Sequence, residues 1–227
     1  MVNNWKKNRP YADIWTIVDP EGRVLARVNS EESWDILDLN SVMERALSTG
    51  NPEVSTEVVP RETLLKEGEG FANKLIIPVI SSPRDGEYRP KSASVTDALM
   101  LTVVIPVKDK DGVVGAIVAG DILNKDNFVP DAVSAKIPEA VSTIVKDGVR
   151  IATTLPTAAG FRAIGTLLPD SVMAEINQGK RYSHTVTLLG ERYIAAYDPI
   201  RDNKGAVIGN IFVGVPESQF LALHKSN

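Results

Sequence analysis

The sequence predicts an α+β protein of two tandem modules, each an antiparallel sheet flanked by helices, over residues 11–125 and 134–217. Three observations predict it. Ile105–Gly112 is a Pro-β-branched stretch running into a polar turn that ends in glycine, and Val113–Gly120 follows as an apolar run with glycines five apart. The same pattern returns in Asp198–Gly205 and Ala206–Gly214, and polar turn residues between β-branched runs specify a hairpin. Earlier in each half, Thr16–Arg27 and Thr143–Thr154 both read as strand, acidic-glycine turn, strand. Opening hairpin, helix-bearing connection and closing hairpin thus come twice in one order, the mark of an internal repeat.

Taken along the chain, Ser41-Val42-Met43-Glu44 has the spacing of a capping box, with the Ser41 hydroxyl accepting from the third helical N–H. Val42, Met43, Ala46 and Leu47 recur on one helical face, and Gly50 with Pro52 closes the helix. Arg61–Lys66 reads as a helix, Lys74–Ile80 as a strand, and Ser81–Lys91 as a Pro/Gly-rich loop. Ala98–Val107 and Val113–Gly120 are strands, too short to cross a bilayer. Asn124–Glu139 joins the modules, punctuated by Pro130 and Pro138. In the second module Asp170 is placed to cap a helix carrying Val172, Met173 and Ile176 and closed by Gly179. Tyr182–Leu188 and Arg192–Tyr197 are strands around Gly190.

With 43% hydrophobic and 24% charged residues the 227-residue chain has an ordinary globular composition, large enough for one or two cores. Its net charge of -4, with no basic stripe interleaved with aromatics, argues against a nucleic-acid partner. The absence of cysteine removes disulfides, thiolate metal sites and cysteine nucleophiles. Met1 is followed by Asn3, Asn4, Lys6 and Lys7 rather than by an apolar signal segment.

The strings VDPEGRVLARV, LNSVMERALSTG leading to STEVVP, and IPVKDKDGVVGAIVAGDILN resemble the first half of a double Cache region. TIVKDGVRIATT, GFRAIGT and ERYIAAYDPIRDNKGAVIGNIFVGV resemble its second half. Over roughly residues 12–217 the chain is similar to the Cache fusion type of bacterial methyl-accepting chemotaxis proteins and sensor histidine kinases. The resemblance implies two PAS-like modules, the first membrane-distal and the second membrane-proximal. It implies a long N-terminal helix, mostly absent from this sequence, and an exit through Glu217–Lys225 toward a membrane span. The chain is then the extracytoplasmic (periplasmic) part of an inner-membrane protein. Such a receptor is a homodimer with its cytoplasmic signalling module in the same polypeptide.

For catalysis the inventory is poor. His184 and His224 sit in no metal-ligand spacing, and Gly68-Glu69-Gly70 lacks the lysine of a phosphate loop. Asp109 and Asp111 suit a hairpin turn better than a calcium loop, since no loop-ending glutamate follows. No nucleophile–base set can be assembled, so neither enzyme activity, metal nor cofactor is expected.

For binding, Arg150, Thr153, Thr154, Arg162, Thr166, Tyr193 and Tyr197 fall in the second-half strings. Guanidinium forks hold carboxylates by paired bonds, and hydroxyls complete the shell. The same residues also suit structural roles, the arginines pairing with Asp147 or Asp170 and the tyrosines filling the core. In the first module Arg27 leaves an apolar strand and Asp121 ends the last one, with Trp34, Lys74 and Thr102 as further candidates. Related receptors for amino acids use an acidic residue near the position of Asp121. Their Tyr–Arg–Trp set is missing before it, which favours a small carboxylate such as acetate or a short dicarboxylate. The sequence reading is therefore an extracytoplasmic domain sensing a small organic acid for a chemoreceptor. Its alternatives are the sensor region of a histidine kinase or cyclic-dinucleotide synthase, and a ligand-free structural spacer.

Overall fold

A computed structural model describes residues 12–37, 39–81, 88–188 and 191–219. The expected remnant of an N-terminal helix before residue 12, Gly190, and residues 220–225 of the expected exit lie outside the described residues. In chain order the first elements are β1 (Ile14–Val18), β2 (Val24–Arg27), α1 (Asn40–Thr49), β3 (Glu53–Val59), α2 (Arg61–Lys66) and α3 (Glu69–Lys74). Then come β4 (Ile77–Pro78), β5 (Ser94–Val95), β6 (Ala98–Asp109), β7 (Gly112–Ile122) and α4 (Phe128–Lys136). The last are β8 (Val141–Lys146), β9 (Val149–Thr153), α5 (Asp170–Ile176), β10 (Tyr182–Leu188), β11 (Glu191–Arg201) and β12 (Val207–Pro216).

The chain divides into two compact units. One takes the described residues of Met1–Ile76 with Thr96–Leu123 and Arg201–Ala206; the other takes Ile77–Val95, Asn124–Ile200 and the described residues of Val207–Asn227. The first holds a sheet in the order β2-β1-β7-β6-β3, the second one in the order β10-β11-β12-β8-β9. Numbering the strands within each module as they occur, both sheets read 2-1-5-4-3, so the repeat seen in the sequence is a repeat of topology. The protein is α+β, with antiparallel sheets and few helices.

In the first unit alternation builds the core. Ile14 and Val18 on β1, Ala116 and Val118 on β7, and Met100 and Val104 on β6 all bury the even face. Against it α1 lays Val42, Met43 and Ala46, one apolar face of an amphipathic helix. Gly50, at φ 66, ends α1 with its N–H on the Ala46 carbonyl at 2.9 Å. At Gly115, φ 151, β7 approaches β1 so closely that any Cβ would overlap the Val18 carbonyl oxygen. The closing hairpin turns at 109–112, where Asp109 Oδ1 accepts from the N–H groups of Asp111 and Gly112.

Two sequence readings of this unit need correction. The capping box does not form: α1 begins at Asn40, a residue before the expected cap. Ser41 is thus inside the first turn, its hydroxyl buried with no partner among the described residues. Lys74–Ile80 is not one strand. Phe71, Ala72 and Leu75 share a helical face that packs on the core, so the chain is helical through Lys74, and only Ile77–Pro78 is extended.

In the second unit β8 and β9 are buried along their whole length. The helix at Asp170 is present, but Asp170 is its first residue rather than its cap; Pro169, at φ -64, precedes it and is compatible with helix entry. Asp170 still sits where the positive end of the helix favours a carboxylate. The core joins Val141, Val145, Leu155, Leu168, Val172, Met173 and Ile176 to Tyr193, Tyr197 and Phe212. Tyr88 comes from the long connection before β5, hydrogen-bonds the Leu168 carbonyl through its N–H at 2.9 Å, and lays its ring over Gly148 at the β8–β9 turn.

Candidate functional site

The covered face of the second sheet gathers several of the unit's buried polar side chains. Cross-strand partners share a face, and the registers Thr143↔Phe212, Thr143↔Thr153, Val145↔Asn210 and Val145↔Arg150 set two adjacent rows. One row is Phe212–Thr143–Thr153 and the next Asn210–Val145–Arg150. Phe212 and Val145 belong to the apolar core, which fixes the direction of both rows inward. Tyr193 and Tyr197 face the same way from β11, and Tyr197 packs its ring 4.7 Å from that of Phe212.

Each polar group has a defined setting. The Thr143 and Thr153 hydroxyl oxygens are 2.5 Å apart, and Thr153 Oγ1 accepts from the Leu155 N–H at 3.0 Å. Arg150 is buried and donates through Nη1 to Thr166 Oγ1 at 3.0 Å and to the Leu167 carbonyl at 2.5 Å. Thr166 in turn donates to the Ala163 carbonyl at 2.7 Å. Asn210 is 4% exposed, and its Oδ1 has no partner among the described residues. Burial, reinforced by the carboxylates of Glu191 and Glu139, holds the Tyr193 phenol above its ordinary pKa, so it stays a neutral hydroxyl. The face therefore offers a guanidinium, an amide and several hydroxyls inside an apolar frame, the chemistry of an oriented small-molecule site.

Five residues singled out in the sequence, Arg150, Thr153, Thr166, Tyr193 and Tyr197, thus meet on one face. Thr143 and Asn210 complete it and were not anticipated. Their signal was the alternation of β8 and β12 with Val145 and Phe212, which becomes readable only once the register is known. Thr154, next to the face, instead accepts the Ser142 N–H at 2.9 Å. Arg162 lies apart, with Nη1 and Nη2 on the two oxygens of Asp131 at 2.8 and 3.1 Å and Nη1 also on the Thr153 carbonyl at 2.8 Å.

The first-unit candidates do not converge. Arg27 has a fully buried side chain whose fork is engaged by the chain's own groups. Nη1 and Nη2 meet the two oxygens of Asp35 at 2.7 Å each, Nη1 also meets the Glu32 carbonyl at 2.9 Å, and Nε meets Glu67 Oε1 at 2.9 Å. Asn29 Nδ2 adds a bond to Glu67 Oε2 at 3.2 Å. Hydrogen bonds from Arg27 hold the Asp35 carboxyl below its ordinary range, whereas burial pushes Glu67 up against the pull of Arg27. Burial works against the Arg27 charge, yet its two carboxylate partners raise its pKa. Thr102 shares the covered face with Arg27, but Asp121 pairs with Leu101 and so projects from the opposite face. Trp34 is 70% exposed in a loop, at φ 71, and Lys74 is exposed at the end of α3. Among the described residues, no three His, Cys, Asp or Glu side chains are grouped to hold a metal ion.

A doubled antiparallel sheet in the order 2-1-5-4-3 is a PAS-like fold. Residues 121–227, a little under half of the chain, match the family described as single Cache domain 3. Cache domains are ligand-binding sensor modules and not catalytic ones. No curated protein matches. Among solved structures the chain resembles an extracellular ligand binding receptor from Desulfohalobium retbaense, at 12% identity and TM-score 0.45. That alignment covers 94% of this chain, which spans about a third (32%) of that one. It also resembles the ligand-binding domain of the Pseudomonas fluorescens chemoreceptor CtaA, solved with L-serine: 14% identity, TM-score 0.42, 91% of this chain and 74% of that. A third is the ligand-binding domain of the Pseudomonas aeruginosa amino-acid chemoreceptor PctC, solved with GABA: 12% identity, TM-score 0.40, 91% and 75%. Among the described residues no helix is long and apolar enough to cross a membrane.

Proposed function

We propose that the chain is the extracytoplasmic sensing region of a transmembrane chemoreceptor and that its second module binds a small organic anion on the covered face of its sheet. The supporting observation is the buried Arg150 in one cross-strand row with Asn210, whose Oδ1 has no partner among the described residues, with Thr143 and Thr153 in the next row and Thr166 bonded to Arg150. A ligand carboxylate is held by the guanidinium. A hydroxyl or protonated acid oxygen of the same ligand donates to Asn210, an acceptor whose burial is otherwise costly. Arg27 and Arg162 are held by carboxylates of the chain itself, Asp35 with Glu67 and Asp131. The modules 11–125 and 134–217 then act in series. β12 carries Asn210 and Phe212 and also leads out of the sheet, so a ligand that draws on Asn210 displaces the strand that continues toward the membrane. The working receptor is a homodimer with a cytoplasmic signalling module in the same polypeptide.

Calorimetric titration with short mono- and dicarboxylates, 2-hydroxy acids and amino acids tests this. One acid should bind, and at a hundredfold excess over its Kd it should stabilise the fold by about 2.7 kcal/mol. Arg150→Lys keeps the charge and loses the fork, and should weaken that acid by roughly ten- to a hundredfold, about 1.5–3 kcal/mol. A panel in which no acid binds, or binding that Arg150→Lys leaves unchanged, rejects the assignment.

A further inference from the structure

The second unit has one end from which the chain leaves. β12 is antiparallel to β8 and β8 to β9, so β12 and β9 run the same way and finish at the same end. The helix α4 lies across that end: Asn127 Oδ1 accepts the Thr153 N–H at 2.9 Å, and Ser134 Oγ donates to the Ala140 carbonyl at 2.7 Å.

Apolar side chains stand in solvent there. Phe161 is 74% exposed, Phe128 70% and Ile137 40%. Phe161 closes the stretch Leu155–Phe161, which contains no charged residue, and Pro156, Ala158, Ala159 and Gly160 of that stretch are exposed too. This loop is fastened. Thr157 N–H meets the Phe161 carbonyl at 2.6 Å, Gly160 N–H the Thr157 carbonyl at 2.9 Å, and Pro156 bridges to Arg162. The Arg162–Asp131 pair then ties the loop to α4, one turn from Phe128. Loop tips in water are ordinarily polar, and a braced tip that presents aromatic and aliphatic carbon is built to be covered.

We infer that this end of the unit rests in the interface of a lipid bilayer, with Phe161 and Phe128 entering the boundary between headgroups and acyl chains. The inference rests on the receptor reading above, in which the chain continues from β12 into a membrane span and so brings this end to the lipid surface. Two ion pairs form at this end, Arg162 with Asp131 and Arg192 with Glu217, and the exposed Lys136 is accompanied by the exposed Glu139 and Glu191, so the end carries no cationic excess. The contact is therefore apolar and needs no anionic lipid.

The chain has no cysteine, so Phe161→Cys accepts a single environment-sensitive fluorophore. Lys180→Cys, exposed just before β10 and at the opposite end of the sheet, is the control. The whole chain is anchored by a C-terminal polyhistidine tag to phosphatidylcholine vesicles holding a little nickel-chelating lipid. Emission at position 161 should shift to the blue and brighten at least about twofold on anchoring, and should not change at 180. No response at 161, or equal responses at both positions, overturns the inference. A response at 161 that grows with protein concentration without vesicles also overturns it and identifies a second copy as the occupant. Because the tag supplies the anchor, these outcomes do not depend on the natural chain having a span or on any ligand. The acid titration tests the receptor reading separately.

Discussion

Replacing Arg27 by methionine keeps an unbranched apolar stem and removes the guanidinium. What remains is a carboxylate at Glu67 whose side chain is 1% exposed, with its main counter-charge gone, while Asp35 at 24% can turn to water. Breaking a buried pair by deleting one partner costs about 3–5 kcal/mol, most of it the desolvation of the ion left behind. For a chain of this size that is a loss of roughly 6–20 °C in the transition that involves the first unit. Arg162→Ala removes a pair whose side chains are 41% and 50% exposed and should cost under about 1 kcal/mol. The two substitutions remove the same charge, so their difference isolates burial. Without Arg27 the pKa of Glu67 rises further above its unfolded value. Its folded state then binds the extra proton as pH falls, and Arg27→Met should recover stability between neutral pH and about pH 5. Denaturant melts at pH 7.5 and pH 5, with Arg27→Met/Glu67→Gln as the third variant, complete the assay. The double variant should regain more than half the loss. An Arg27→Met cost no greater than that of Arg162→Ala, or no recovery in acid, would refute the claim that a buried charge holds this region together.

In the intact protein burial raises the Glu67 pKa, so Glu67 contributes a stability that is greatest in acid and declines as pH rises through its folded pKa. Glu67→Gln should flatten that part of the melting profile and leave the acid loss that belongs to Asp35, whose depressed pKa gives stability that disappears as pH falls through it. Gly148→Ala should cost more than about 1 kcal/mol, since the new methyl meets the Tyr88 ring at a φ of 75. Tyr88→Ala in the same chain should relieve the clash but not the backbone strain, so a double-mutant cycle with zero coupling would contradict the packing described.

Much of the fold was legible because hairpins are local. The polar turns at 109–112 and 202–205 sit between β-branched runs, and nothing distant is needed to close them. Helix starts were read less well. A Ser-x-x-Glu spacing cannot say whether Ser41 stands before the helix or inside it, and tertiary burial of the first turn settled the matter. Lys74–Ile80 failed for a related reason: Leu75-Ile76-Ile77 is apolar in either period, and packing of Phe71, Ala72 and Leu75 favoured the helical one. On the site, the residue types were readable and their partners were not. Arg27 looked like a cation in search of an anion because Asp35 and Glu67 stand eight and forty residues away. Asn210 and Thr143 had only the alternation of their strands as a signal, since the registers of β12 on β8 and of β8 on β9 are what bring them to the face that holds Arg150.

In each sheet the first and last strands of the module lie side by side at the centre. Ile14, where β1 begins, is opposite Gly120 near the end of β7; Val141, where β8 begins, is opposite Gly214 near the end of β12. The polypeptide therefore comes into each module and goes out of it through a single doorway one strand wide. A module with adjoining ends is a cassette. It can be duplicated, removed or spliced into a host chain while the host's path is displaced by only about 5 Å, the spacing of neighbouring strands. Growth by duplication then needs only a short linker such as Asn124–Ala140. The two sheets of this protein, alike in topology and in the order of their hairpins, are the product that such a doorway permits.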